Sequence, residues 1–140
     1  MFGEKIAFDP FNPNLMVTAG YVRGVFISDD CGETWKHAGL KNEVAGTVAF
    51  HPLVKNRVFF GTLSGIAGSE NKYLLNGKFD RPKTGRLYQS DDAGKSWTLI
   101  YESDDITFSE IAFHASNPDI FVVASVTSAG YFKTLDGGHS

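Results

Sequence analysis

The sequence predicts an all-β fold built from repeated units of four short antiparallel strands. An acidic motif occurs three times along the chain, and a strand-then-turn segment precedes each copy. The intervening runs are rich in β-branched and aromatic residues and show little helical periodicity. This repetition separates positions that serve the repeat from positions that belong to a unique site.

The acidic motif reads SDDCGETW at 28–35, SDDAGKSW at 90–97 and TLDGGHS at 134–140, and we call these three segments the acidic turns. Each has a hydroxyl residue, an aspartate two positions later, a glycine two positions after that and a second hydroxyl residue. The first two copies end in tryptophan. The recurring positions are Ser28, Asp30, Gly32, Thr34, Trp35, Ser90, Asp92, Gly94, Ser96, Trp97, Thr134, Asp136, Gly138 and Ser140.

A second repeat lies upstream of each acidic turn. It reads IAFDPFNPN at 6–14, VAFHPLVKN at 48–56 and IAFHASNPD at 111–119. Each copy begins as a strand and continues into a turn rich in Pro or Asn. Two further β-rich runs lead into each acidic turn, and WKHAGL or WTLIYE follows the first two turns. Each complete unit therefore has four predicted strands.

The repeat spacing predicts a β-propeller, whose blades have four strands in about 40 to 45 residues. Asp92 and Asp136 are 44 residues apart, whereas Asp30 and Asp92 are 62 apart, and we assign the excess to a surface insertion at 64–85. We predict a partial propeller over 1–140. Its blades are blade 1 at about 5–40, blade 2 at about 44–102 and an incomplete blade 3 at about 108–140.

An open arc of blades exposes apolar faces and an unpaired strand edge. We therefore expect the remaining blades to lie in the same, longer chain, so that this sequence is a fragment, or to be supplied by self-association.

The pattern Ser-x-Asp-x-Gly-x-Thr/Ser-Trp at this period resembles the Asp-box or BNR repeat family. The resemblance covers the chain outside the insertion. That family includes xyloglucanase-like glycoside hydrolases, sortilin-type receptors, photosystem assembly factors of the Ycf48/Hcf136 type and sialidases. The resemblance implies a propeller with Asp-box turns and leaves both binding and hydrolytic functions open.

The acidic turns have three interpretations. As structural turns, their aspartates accept hydrogen bonds from backbone N–H groups of the same turn, and their glycines supply a positive φ. A calcium loop needs alternating oxygen ligands closed by a bidentate Glu, an order that residues 29–33 lack. A catalytic carboxylate pair does not need three equivalent copies. The structural interpretation is favoured, with the tryptophans covering the turns and packing between sheets.

Composition excludes few functions. The 13 Lys and Arg and 16 Asp and Glu residues give a net charge of −3 with no long run of either sign, which gives no indication of nucleic-acid binding.

Cys31 is the only cysteine and occupies a variable slot of the motif. His51 and His114 follow predicted strands, where bonding to a turn is favoured over a zinc site. No cofactor or metal is expected.

Neither a signal peptide nor a transmembrane segment is found in the sequence, and the compartment stays undetermined.

The insertion is a candidate ligand loop because binding residues in propellers often lie on loops. Its aromatic and charged residues suit a sugar or a peptide, and the alternative is a long solvated loop. The candidate ligand-binding residues are Tyr73, Phe79, Asp80 and Arg81, with Lys72 beside them.

Two function classes follow from these features. The first is a binding or scaffold propeller with a protein or carbohydrate ligand, which needs no catalytic residue. The alternative is a glycoside hydrolase of the xyloglucanase-like type acting on β-glucans, which needs two carboxylates across a cleft. An enzyme is the less favoured class, and a sialidase less still, because its first arginine motif is absent. The unassigned carboxylates are Glu43, Glu70, Asp80, Glu102, Asp104, Asp105 and Glu110.

Overall fold

The computed structural model describes residues 5–20, 24–63, 84–104, 106–125 and 130–140. All regular elements in these residues are β-strands, so the all-β prediction is confirmed. The strands are β1 (Lys5–Phe8), β2 (Met16–Gly20), β3 (Gly24–Ser28), β4 (Lys36–His37), β5 (Ala45–Phe50), β6 (Val58–Thr62), β7 (Thr84–Ser90), β8 (Thr98–Asp104), β9 (Phe108–Phe113), β10 (Phe121–Ser125) and β11 (Tyr131–Thr134).

The strands form three antiparallel sheets in chain order. The first sheet contains β1 to β4, the second contains β5 to β8, and the third contains β9 to β11. In each sheet every strand pairs with the one that precedes or follows it in sequence, which is the arrangement that short turns produce. The first strands of the sheets, β1, β5 and β9, pack beside one another. The sheets therefore fan out from a shared inner edge.

The second sheet is covered on both faces, and the burial of β6 shows this directly. All five residues of β6 are buried, because successive side chains point to opposite faces and both faces meet another sheet. Phe60 packs in the cluster between the first and second sheets, and Phe59 packs in the cluster between the second and third. A half-exposed sheet would instead alternate apolar and polar residues.

Two hydrophobic clusters hold the sheets together. The cluster between the first and second sheets contains buried residues of β2, β3, β5 and β6, together with Trp97. The cluster between the second and third sheets is aromatic, with the Phe59 ring 4.9 Å from Phe121 and 5.6 Å from Phe113 between centroids. Burial of large side chains of this kind contributes about 1.5 to 3 kcal/mol each.

The third sheet approaches the second closely because Gly61, on β6, has no side chain. A Cβ placed on Gly61 would lie 2.6 Å from the Cβ of Phe108 on β9. Phe108 is fully buried, so this contact brings the third sheet directly onto the backbone of the second.

The observed strands differ from the sequence expectations in two details. β7 begins at Thr84, inside the predicted insertion, because Thr84 and Gly85 pair with Asp104 and Ser103 of β8. β4 has two residues rather than a full strand. The third sheet has three strands in the described residues, the same number as the β-rich runs in the third repeat of the sequence. None of the described residues forms a helix long and apolar enough to cross a membrane.

The two tryptophans of the acidic turns differ in their packing. Trp97 packs in the cluster between the first two sheets, and its Nε1 donates to the carbonyl of Ala38 across the interface at 2.8 Å. The expectation that Trp35 also packs between sheets is wrong, since this residue is 36% exposed. Its Nε1 donates to the Gly32 carbonyl of its own turn at 3.1 Å.

Trp97→Ala is therefore expected to destabilise the protein by about 2 to 4 kcal/mol, through a cavity at the interface and loss of the bond to Ala38. Trp35→Ala, the same substitution at the matching position, is expected to cost about 1 kcal/mol or less. Urea unfolding of the two variants measures both values. Equal losses would show that the tryptophans act within their turns and not between sheets.

Candidate functional site

Each acidic turn is held by hydrogen bonds that converge on its aspartate. In the second turn the Ser90 hydroxyl donates to Oδ1 of Asp92 at 2.7 Å and accepts the Gly94 N–H at 2.7 Å. Oδ1 of Asp92 also accepts the Ser96 N–H at 2.8 Å, and Oδ2 accepts the Ser96 hydroxyl at 2.5 Å. The same bonds recur around Asp30 and Asp136. Both carboxylate oxygens therefore serve the turn.

Two successive residues in each acidic turn have positive φ. Gly94 has φ of 86° and the residue before it, Ala93, has φ of 60°. Cys31 occupies the slot of Ala93 in the first turn with φ of 59°, and Gly137 occupies it in the third with φ of 71°. A non-glycine residue in this region is strained, so Cys31 and Ala93 depend on the surrounding hydrogen bonds to stay there.

The hydrogen bonds also fix the ionisation of the aspartates. The hydroxyl and N–H of Ser96, followed by the hydroxyl of Ser90, lower the pKa of Asp92 to about 2. The equivalent groups lower the pKa of Asp30 and of Asp136 to about 2. The three carboxylates are therefore anions at neutral pH, and they cannot supply a proton as a general acid requires.

Each acidic turn is also joined to the first turn of its own sheet. The N–H groups of Cys31, Ala93 and Gly137 donate to the carbonyls of Asn14, Asn56 and Asp119 at 3.0, 2.9 and 2.9 Å. Both kinds of turn therefore lie at the same end of each sheet, as an antiparallel meander requires. We call this end the acidic-turn face.

The polar residues that follow the first strands cap their turns, as the sequence predicts. Oδ1 of Asp9 accepts the Phe11 N–H at 2.8 Å, and Nδ1 of His51 accepts the N–H groups of Leu53 and Val54 at 3.0 and 3.1 Å. His114 does the same for the third sheet. These bonds occupy Nδ1 of both histidines, so that nitrogen is not available to a metal ion.

His51 has a further role that the repeat does not predict. Its Nε2 lies 3.0 Å from the carbonyl of Pro118 in the third sheet, so it donates across the interface. The ring is 1% exposed and lies 4.8 Å from the Phe113 ring, and burial lowers the pKa of His51. His51 is thus a neutral link between sheets. Within the described residues, no group of three or more His, Cys, Asp or Glu side chains is arranged to hold a metal.

The opposite end of the sheets carries a charged cluster centred on Arg86. Nη1 of Arg86 lies 3.1 Å from Oε1 of Glu43, and its Nε lies 3.4 Å from Oε2 of Glu102. The hydroxyl of Tyr88 donates to the same Glu43 oxygen at 2.7 Å, and burial together with this bond raises the pKa of Tyr88 to about 12. Glu43 comes from the connection between the first two sheets, so the cluster joins them.

We call this second end the insertion face, because the chain leaves it at Leu63 and returns at Thr84. Asp104 lies here and accepts the Thr84 hydroxyl at 2.7 Å. Glu110 is exposed on β9. The candidate ligand residues Tyr73, Phe79, Asp80 and Arg81, together with Lys72, Glu70 and Asp105, lie outside the described residues.

Two open spaces lie between the second and third sheets. A polar groove of about 460 Å³ on the acidic-turn face is lined by residues including Arg57, Asp91 and Asp136. Arg57 and Asp91 form an ion pair at 2.6 Å inside it. An apolar pocket of about 240 Å³, which we call the third-sheet pocket, adjoins β11 and is lined by residues including Ile100 and Phe132.

Asp92→Ala removes the carboxylate that accepts hydrogen bonds from two hydroxyl groups and one N–H group of its turn. We expect a loss of about 1 to 2 kcal/mol of unfolding free energy, the lower part of the range for such an acceptor because solvent reaches the turn. The exposed Asp29, which pairs with Lys36 at the surface, provides the control, and Asp29→Ala should cost less than about 0.5 kcal/mol. Chemical denaturation of the two variants measures these values.

The pH dependence tests the same carboxylate. Its pKa is lower when folded than the ordinary 3.8, so its stabilisation is present above pH 4 and disappears as pH falls through about 2. The stability difference between wild type and Asp92→Ala should therefore shrink below pH 4 and be largely lost by about pH 2. A difference that persists unchanged at pH 2 would contradict the hydrogen-bonded carboxylate.

Comparisons with known proteins agree with the architecture. No protein-family model and no curated protein matches the chain. Among solved structures it is similar to an ancestral GH74 enzyme, with a TM-score of 0.72 and 24% identity over 97% of this chain and 17% of that one. It is also similar to YCF48 bound to D1 peptide, with a TM-score of 0.61 and 17% identity over 97% of this chain and 37% of that one.

YCF48 from Cyanidioschyzon merolae gives a TM-score of 0.61 and 21% identity over 96% of this chain and 34% of that one. The chain therefore spans less than two fifths of the length of each of these proteins. All of them are β-propeller proteins, and the three sheets described above have the arrangement of adjacent propeller blades.

Proposed function

We propose that the chain is part of a binding or scaffold β-propeller in which the acidic turns are structural Asp-box turns. In this proposal the units at about 5–40, 44–102 and 108–140 are successive blades. Further blades are supplied by a longer chain or by self-association. The ligand is a protein or a carbohydrate.

The observation that supports this proposal is that the carboxylates are engaged in hydrogen bonds and ion pairs within the fold. In all three acidic turns, both carboxylate oxygens of the aspartate accept hydrogen bonds from the same turn, and the pKa of each aspartate is lowered to about 2. Glu43 and Glu102 are both paired with Arg86. A glycoside hydrolase needs two carboxyl groups facing a cleft, one of them able to donate a proton. These five carboxylates are engaged in holding the fold, which favours a binding function.

The insertion face is the proposed binding surface. Its described part is a rigid platform, because Arg86, Glu43 and Tyr88 are joined by hydrogen bonds across two sheets. The long connection between β6 and β7 starts and ends on this platform and contains the proposed ligand residues Tyr73, Phe79, Asp80 and Arg81. Loops on a rigid scaffold are where propellers and related folds place binding residues.

The similar solved structures support a propeller with either type of activity, since one is a GH74 enzyme and another is bound to a peptide. Hydrolysis of β-glucan is therefore the outcome against which the binding proposal is tested.

The experiment uses a displayed library of random peptides, selected on the full chain and on a variant in which 64–83 is replaced by a short Gly-Ser linker. We expect peptides to be enriched on the full chain and lost on the variant. A second variant, Tyr73→Ala with Phe79→Ala, keeps the length of the loop and should lose the same peptides. Urea unfolding shows whether the variants remain folded.

A parallel assay with soluble xyloglucan and mixed-linkage β-glucan tests the alternative, hydrolytic function. Release of reducing ends by the full chain, abolished by Glu43→Gln or Glu102→Gln in a folded variant, would overturn the binding proposal in favour of hydrolysis. Enrichment that is unchanged by both loop variants would show that the insertion face is not the binding surface.

A further inference from the structure

We propose that the contact between the second and third sheets at His51 is an acid-sensitive joint, which opens when the imidazole takes up a second proton. The joint consists of His51, the turn at 52–54 that it caps and the Pro118 carbonyl that it bonds across the interface. The contact between the first and second sheets lacks this response. The proposal concerns how the sheets are held together and does not depend on the function proposed above.

Both ring nitrogens of His51 are engaged, and their partners fix one neutral tautomer. Nδ1 lies 3.0 and 3.1 Å from the backbone nitrogens of Leu53 and Val54, whose N–H groups can only donate, so Nδ1 carries no proton. The single ring proton is therefore on Nε2, which donates to the Pro118 carbonyl at 3.0 Å. In this tautomer both nitrogens of the buried ring have a partner.

A second proton on His51 has no acceptor in this environment. It would have to bind Nδ1, where it would point at two N–H donors instead of accepting from them. The ring is 1% exposed, so it cannot reach water without leaving its site. Its centroid lies 4.8 Å from that of Phe113 and 6.3 Å from that of Phe59, and these contacts are lost when the ring moves out. Protonation of His51 therefore opposes closure of the joint.

Two charged groups act on the His51 ring, Arg57 from its own sheet and Asp119 from the third sheet. Burial has the largest effect and lowers the pKa of His51, whereas the bond to the Pro118 carbonyl raises it. Arg57 then lowers this pKa and Asp119 raises it, and the net result is a lowered pKa. Arg57 is itself held by Asp91, with which it pairs at 2.6 Å. The closed joint therefore holds a neutral imidazole.

The direction of the pH dependence follows from this lowered pKa. When the joint opens, the imidazole regains its ordinary pKa of 6.5, so below that value the open state binds one more proton than the closed state. The ratio of open to closed joints should rise by up to about tenfold for each pH unit below 6.5, until the pKa of the closed state is reached. The stabilisation of the joint by His51 is thus complete above pH 6.5 and is lost as the pH falls through the lower pKa.

The interface between the first and second sheets has no imidazole at the matching position. Asp9 occupies the slot of His51, and its Oδ1 accepts the Phe11 N–H. The bond across this interface comes instead from the indole N–H of Trp97 to the Ala38 carbonyl. An indole N–H is a donor only and does not change its charge in mild acid. The first interface therefore serves as an internal control for the second.

Amide hydrogen exchange of the full chain, measured by NMR at pH 7 and pH 5 and divided by the intrinsic rate at each pH, tests the proposal. The Leu53 and Val54 amides report the joint, because Nδ1 of His51 is their acceptor. We expect their normalised exchange to be at least about tenfold faster at pH 5. The Trp97 indole N–H reports the first interface and should keep the same normalised rate at both pH values.

Matched variants assign the acid response to one histidine. His51→Gln keeps a side-chain N–H donor but does not titrate, so normalised exchange at Leu53 and Val54 should be independent of pH in this variant. His37→Gln removes an exposed histidine of β4 and should leave the wild-type response unchanged. Urea unfolding at pH 7 shows whether the variants are folded, and the comparison of the two interfaces in the wild type stands without them.

Equal normalised exchange of Leu53 and Val54 at the two pH values would overturn the proposal, as would the same acid response in folded His51→Gln. An equal acceleration at the Trp97 indole would also overturn it, because acid would then loosen both interfaces and not the His51 joint alone.

Discussion

The structure depends on one repeated interaction, the hydrogen bonding of an aspartate within its own turn. Asp92 accepts from the hydroxyl and N–H of Ser96 and from the hydroxyl of Ser90, which in turn receives the Gly94 N–H. These bonds hold two consecutive residues at positive φ, a conformation that Ala93 would not otherwise adopt. The turn fixes the position of the tryptophan that follows it. Hydrogen bonds within the second acidic turn therefore determine where Trp97 packs between sheets.

Packing between sheets follows from the same repeat but is completed by contacts that differ at each interface. Trp97 donates to Ala38 across the first interface, whereas His51 donates to the Pro118 carbonyl across the second. The second interface also relies on Gly61, whose missing side chain admits Phe108. The insertion face gains rigidity from Arg86, which holds Glu43 and Glu102 together. The binding role that we propose rests on carboxylates engaged in this way.

Much of this could be predicted from the sequence because it repeats. The residues shared by all three acidic turns are the ones that form the turn, and the spacing between Asp92 and Asp136 indicates a blade period. The repeat does not predict contacts between residues that it does not relate. The ion pairs of Arg86 and the hydrogen bond between His51 and Pro118 are contacts of this kind. The positive φ at Cys31 also escaped prediction, since its side chain gives no indication of it. Exposure of Trp35 depends on a neighbouring sheet, which a local motif cannot specify.

The most direct test of the account is a carboxyl titration of Asp30, Asp92 and Asp136 by carbon-detected NMR on the full chain. Hydrogen bonding within the turns predicts that all three titrate together, with pKa values of about 2. Values near the ordinary 3.8 would show that the aspartates do not hold the turns and would remove the basis of the account. The measurement reads each repeat separately, so it also shows whether the third turn is as well formed as the first two.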